Sequence, residues 1–277
     1  MSTLETSILL DGAPATADAL SPLAFAGFAH FTAMQVRSGK VRGLDLHIAR
    51  LVDASAALFG RTLDEQSILS EIRGAIAQQA DDHSLVVTVF SHEGEFVPQD
   101  PASELGTFIR TAPPSPGPVG PLKLATFEHE RFMPAYKHVG EGAKTLFLQR
   151  ARDAGFDDAI FVDQRGHLSE GSIWNLAFWD AGTVVWPKAA MLHGTTMSIL
   201  RRQLERLGVP QRFEELRGED AYRFSGAVVM NSWTPAVAVN QIDSFALPPA
   251  ANFVDLLHDA YLAEPSVSPS QLMQNQN

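Results

Sequence analysis

Two stretches in the first third of the chain, FAHFTAMQV (28–36) and LVVTVF (85–90), alternate apolar and polar residues with period two, which predicts strands half buried in a sheet. Between them the period lengthens. Ile48, Leu51, Val52, Ala56 and Phe59 recur at helical spacing in LHIARLVDASAALFG (46–60), and the pattern stops at a glycine. A second amphipathic helix follows, with Thr62 and Glu65 spaced as a capping box and Ile68, Leu69, Ile72 and Ile76 on one side. The pattern then breaks at APPSPGPVGP (112–121), where five prolines and two glycines can hold neither a helix nor an interior strand, so this segment reads as a linker.

Beyond it comes a strand and then AYKHVGEGAK (135–144), with two lysines around a glycine-broken patch. A helix through Ala143, Leu146, Phe147, Arg150 and Ala154 ends at Gly155. Short β-rich runs in AIFVDQRGHLSEGSIWNLAFWDAGTVVWP (159–187), separated by QRG and DAG turns, predict a β-meander. LHGTTMSILRRQLERLG leads from Gly-Thr-Thr into a helix, and AVVMNSWTPAVAV reads as strand, turn and strand. The expected organisation is α/β (α+β) with two domains: residues 1–111, the linker 112–121, a larger β-rich domain 122–263, and a disordered Ser/Pro/Gln/Asn-rich tail 264–277.

Composition narrows the function classes. Of 277 residues, 45% are hydrophobic and 19% charged, the balance of a soluble globular protein. A formal net charge of −11 argues against a nucleic-acid partner, whose phosphates require clustered Lys and Arg. No apolar run approaches the ~20 residues of a membrane span and no basic segment leads into one at the start, so a cytoplasmic protein is expected. Without cysteine there is no disulfide, thiol catalysis or thiolate metal site, and the nine histidines show no helical ligand pair. Glu128-His129-Glu130 beside Arg131 reads as a solvated strand end, and no metal site is expected.

Three places suit a phosphate group: Arg50 beside His47 on the first helix, Gly194-Thr195-Thr196 at a helix start, and Asn231-Ser232 in a polar turn. Glu170 in LSEGS is a carboxylate that, if buried against a protonated pyridine nitrogen, would make that ring an electron sink. Each feature alone has an ordinary reading: an N-cap, a solvated arginine, an exposed turn glutamate.

Taken in order, Arg50 in LHIARL, Lys137 in PAYKH, Glu170 in LSEGSIWNLAF, Thr196 in LHGTTM and Ser232 in MNSWTPAVAV resemble the fold-type IV pyridoxal-phosphate enzymes of D-amino-acid aminotransferase-like fold. That group includes branched-chain and D-amino-acid aminotransferases and aminodeoxychorismate lyase. The resemblance runs from Phe28 to Asp243. It implies that Lys137 is the catalytic Schiff-base lysine and Lys144 a bystander inside the following helix. It further gives Glu170 to the pyridinium nitrogen, and Arg50, Thr195, Thr196 and Ser232 to the phosphate. Phe31, with His30, Asn231 and Trp233, would line the substrate pocket.

The implied cofactor is pyridoxal 5'-phosphate, held at the interface of the two domains, in a homodimer that acts on small-molecule amino acids and 2-oxo acids. The expected reaction is transfer of an amino group between an amino acid, of branched-chain or D-type, and a 2-oxo acid. The alternative is an aminodeoxychorismate lyase-type elimination, which HFTAMQV and Lys137-His138 resemble; a remote alternative is a non-catalytic binding protein on the same fold. The chain departs from the pattern at Thr196-Met197, where the aminotransferases have Thr-Arg. It also has Ser91 and His92 where D-amino-acid aminotransferase has an arginine, and Val139 to Gly142 where branched-chain enzymes have a tyrosine.

Overall fold

A computed structural model describes residues 6–24, 27–79, 82–93, 96, 100 and 103–275. The chain divides into two units, 1–115 with 136–140 and 265–277, and 116–135 with 141–264. Its first elements are β1 (Ile8–Leu10), β2 (Ala13–Pro14), a short helix α1 (Ser21–Ala24), β3 (Ala29–Val36), β4 (Val41–Arg42), α2 (Leu44–Phe59), α3 (Glu65–Ala77), β5 (His83–Ser91) and β6 (Leu105–Ala112). Five strands form an antiparallel sheet in the order β2-β1-β6-β5-β3. The alternation seen in sequence is realised here, with Met34, Val36, Leu85, Val87 and Val89 packed with Leu44, Ile48, Leu51, Ile68, Leu69 and Ile72 of α2 and α3. α3 is capped by Asp64, whose carboxylate accepts from the Ser67 N–H at 2.8 Å, and not by the expected Thr62.

Two buried polar pairs tie α2 to β3. The Thr32 hydroxyl meets His47 Nδ1 at 2.6 Å and Ser55 Oγ meets His30 Nε2 at 2.8 Å; residues 30 and 32 lie on the inward face of the strand. Burial holds His30 down to about 4. Burial, and secondly the Arg50 guanidinium, hold His47 down to about 3, with Asp45 opposing. In the unfolded chain both imidazoles take up a proton near pH 6.5, so stability is lost as pH falls below that value, and the loss continues towards the folded values. Each histidine removes about 1.4 kcal/mol per pH unit in this window. Glu71 works against the trend: burial, then Asp11, raise its carboxyl to about 7, so it favours the folded state as pH falls. It is half-exposed, and solvent screening makes its share the smaller one. Denaturant unfolding at pH 7.5 and 5.5 should show a loss of roughly 1–3 kcal/mol at the lower pH. His47→Asn should flatten that dependence; an unaltered slope would mean that His47 does not cause it.

The second unit holds β7 (Leu122–Glu128), α4 (Gly142–Asp153), β8 (Asp158–Val162), β9 (Leu168–Gly171), β10 (Asn175–Asp180), β11 (Thr183–Pro187), α5 (Thr195–Arg206) and β12 (Gln211–Glu214). A 3-10 turn (Gly218–Arg223), β13 (Gly226–Met230), β14 (Val237–Ile242), β15 (Phe245–Ala246) and α6 (Ala251–Ala263) complete it. The expected meander is present as β8 to β11, but within a larger sheet of order β12-β11-β10-β13-β14-β7-β8-β9. A further pairing, Asn175 with Glu170, links β9 back to β10, so six strands run in a ring around Leu124, Ile160, Leu168, Leu176, Phe178, Val229, Val237 and Val239. β7 lies parallel to both β8 and β14.

Two expectations are corrected. The helix after the lysine patch does not bury the stripe read from the sequence: Lys144 and Ala151 are its buried residues, while Leu146 is 46% exposed. The tail, expected to be disordered, returns to the first unit as β16 (Ser266–Val267), paired with β4, and α7 (Pro269–Asn275). Ser268 and Gln271 bond reciprocally around Pro269, a capping box with proline at the first helical position, and Leu272 and Met273 pack on the core of α2 and α3.

Candidate active site

Lys137 belongs to a short segment laid against β3. Phe31 N–H donates to the Lys137 carbonyl at 2.8 Å and Val139 N–H to that of Ala29 at 2.9 Å, with His30 and His138 forming a β-bridge between them. Register puts Lys137 on the face of Phe31, and its Nζ stands 4.8 Å from the Phe31 ring centroid. His30 takes the opposite face. Expected beside the substrate, it is fully buried with its ring on Ser55, and is part of the interior instead. Arg50 is half-buried on α2, close enough to His47 to act on it electrostatically.

In the second unit, Glu170 is the penultimate residue of β9, with its side chain 7% exposed. Arg131 Nε donates to its Oε1 at 3.0 Å, and Lys144 Nζ lies 3.1 Å from the same oxygen. Oε2 has no hydrogen-bond partner among the described residues. Glu141 stands 3.9 Å from Arg131 and 3.5 Å from His129, whose ring packs on Phe147 and Phe161. The stretch read as a solvated strand end therefore turns two side chains inward: Glu128 and Glu130 are exposed, His129 is partly buried and Arg131 is buried. Lys144 is 6% exposed; burial pulls its ammonium below the usual lysine range, and Glu170 opposes that pull. No group of potential metal ligands occurs among the described residues.

The two turns suited to phosphate are joined to each other. α5 starts at Thr195 with no side-chain cap on Gly194, so its first N–H groups, which have no acceptor within a helix, are left for another ligand. Thr195 Oγ1 is buried and has no hydrogen-bond partner among the described residues. Thr196 Oγ1 donates to the Asn231 carbonyl at 2.8 Å, which ties the helix start to the 231–234 turn; within that turn Asn231 Oδ1 accepts from Trp233 N–H at 2.8 Å. Ser232 and Asn231 are half-buried and Trp233 is exposed. Asn175 sets the approach to the helix: its Nδ2 donates to Leu192 O at 2.7 Å and its Oδ1 accepts from Gly194 N–H at 2.9 Å. A Cβ at residue 194 would collide with that Oδ1, so the position requires glycine. Asn175 is also the strand partner of Glu170, so one residue braces both the carboxylate and the helix start.

The structure thus brings together Glu170, Arg131 and Lys144 in one cluster and Thr195, Thr196 and Asn231 in another. Sequence reading missed Arg131, Lys144 and Asn175. The available signal was the position of Lys144 and Ala151, two turns apart on one helical face.

Residues 29–242 match the family model described as Amino-transferase class IV. A probable branched-chain-amino-acid aminotransferase of Rickettsia felis is 30% identical over 100 residues, 36% of this chain and 33% of that protein, so the match spans about a third of the relative's length. Among solved structures, a hypothetical aminotransferase from Mycobacterium tuberculosis in its PLP-bound form aligns with a TM-score of 0.77 at 19% identity, covering 94% of this chain and 100% of that one. The branched-chain aminotransferase of the archaeon Thermoproteus uzoniensis, solved with norvaline, gives 0.77 at 20% identity over 92% and 93%. These structures share the fold expected from the resemblance.

Proposed function

Since the chain belongs to the class IV aminotransferases, we propose that it is a pyridoxal-phosphate enzyme that moves an amino group between an amino acid of branched-chain or D-type and a 2-oxo acid. The observation that carries the reading is Glu170, a buried carboxylate with both cations on one oxygen and the other uncommitted, as an acceptor for a ring N–H requires. The orphan hydroxyl of Thr195 and the start of α5 fit the phosphate, with Thr196 and Ser232 beside them; Arg50 is assigned to the same phosphate by the family resemblance alone. When bound, pyridoxal phosphate supplies a reactive carbonyl and an electron sink.

Lys137 is assigned the remaining work. Its amine would hold the cofactor covalently and would serve as the base and acid that carries the substrate α-proton. Phe31 walls one side of that amine, with its ring centroid 4.8 Å from Nζ. By the same reading the active form is a homodimer.

The test is a single-turnover spectrum of the pyridoxal-phosphate-loaded protein with separate panels of L- and D-amino acids. Loss of the visible cofactor band with one donor, and its return on adding a 2-oxo acid, supports transamination and gives its stereochemistry. A band that no donor discharges, with pyruvate released from aminodeoxychorismate, would move the assignment to elimination. Arg50→Ala should weaken cofactor affinity on the order of tenfold while leaving the colour of the loaded protein unchanged. Equal retention on dialysis by parent and variant would take Arg50 out of the phosphate site.

A further inference from the structure

Burying a lysine is costly, and α4 has little apolar surface to compensate: Lys144 is the one long side chain that this helix buries. Its ammonium is also not needed to neutralise Glu170, because the Arg131 guanidinium already donates to that carboxylate. What the second cation adds is direction. Two donors on one oxygen oppose rotation about the last bond of the glutamate and leave Oε2 open to a further donor. Charge is balanced within the group: Arg131 and Lys144 stand against Glu170 and Glu141, with His129 on the far side of Glu141.

We propose that Lys144 is a positioning residue for the cofactor site, holding Oε1 of Glu170 so that Oε2 is presented to the ring nitrogen. The proposal rests on the reading of Glu170 given above. It assigns to Lys144 a role distinct from that of Lys137: the second lysine touches neither substrate nor cofactor and acts through the carboxylate. Lys144→Met keeps the length and removes the charge, and Lys144→Arg keeps the charge. A purely packing role would be met better by methionine than by arginine.

The probe is pyridoxamine 5'-phosphate, which binds without a covalent bond to lysine, titrated by fluorescence into the cofactor-free protein. Lys144→Met should weaken binding about fivefold, the order expected for loss of one directed hydrogen bond, and Lys144→Arg should restore most of it. In a Glu170→Gln background, Lys144→Met should have no further effect, since the carboxylate it acts through is gone. Unchanged affinity in Lys144→Met, or the same loss with and without Glu170, overturns the assignment. Cofactor-free crystals of parent and variant provide a second measurement that does not depend on binding. The Glu170 carboxylate should be rotated or split between orientations in Lys144→Met, and a single unchanged orientation overturns the proposal. If Lys144→Met does not fold, Lys144→Gln is used in both measurements. Failure of the parent to bind pyridoxamine phosphate would instead count against the proposed function, and the crystallographic comparison would still decide whether Lys144 orients Glu170.

Discussion

Lys137→Ala should lose turnover by at least a factor on the order of 10³ and should no longer hold the cofactor covalently, while remaining folded. The expectation of a sound fold comes from how the segment is held. The bonds between it and β3 use the backbone of Phe31, Lys137, Ala29 and Val139, all of which alanine preserves. The loss should be functional for two reasons: the proposed function makes the amine both anchor and proton carrier, and Lys144 is unsuited to replace it. Lys144 is buried, and its ammonium is engaged by Glu170 at 3.1 Å. Burial weakens that ammonium, the property expected of a nucleophilic lysine, but Glu170 pulls the other way and holds the group at 3.1 Å. Borohydride reduction of the loaded parent followed by peptide mapping distinguishes the two lysines directly. Label on Lys137 supports the assignment, and label on Lys144 would reverse it.

The ease with which one half of this site could be read, and the difficulty of the other, has a physical source. β3, β5, α2 and the β13–turn–β14 segment were legible because burial on one face imposes a period on consecutive residues. Glu170 and the Thr195-Thr196 pair could be singled out as candidates because the features that mark them are local: a carboxylate in LSEGS that the resemblance picks out, and N–H groups at a helix start. The direction of a charged side chain is set by partners distant in sequence. Glu128-His129-Glu130 beside Arg131 was read as a solvated strand end; Arg131 turns inward to Glu170 of β9. α4 misled for the same reason, since its inward face is chosen by a carboxylate outside the helix and Leu146 is left in solvent. The tail failed differently. Its polar composition concealed a Ser-Pro-Ser-Gln capping box, which needs only Leu272 and Met273 to dock on the core.

Glu170→Gln should separate the two functions that meet at this residue. Glutamine has nearly the same shape and can still accept at its carbonyl oxygen, so the cofactor should bind with affinity reduced by about tenfold at most. What it cannot do is carry the negative charge that keeps a ring N–H cationic, and the rate of α-proton abstraction should fall on the order of a hundredfold or more. The substitution also leaves Arg131 and Lys144 facing a neutral group while both remain buried, and removing one partner of a buried pair is destabilising by about 3 kcal/mol or more. Glu141 is 3.9 Å from Arg131 and offsets part of that loss for the arginine only. Stability and proton transfer should therefore both decline, but by separable routes. Adding Lys144→Met to Glu170→Gln removes one of the two stranded cations and should recover stability while leaving proton abstraction slow. Abstraction is followed by washout of deuterium from an α-deuterated donor. A near-parental washout rate in folded Glu170→Gln would mean that the ring nitrogen is not its partner. Recovery of the rate together with stability in the double variant would mean that the defect was structural and that the charge of Glu170 is not used in the reaction.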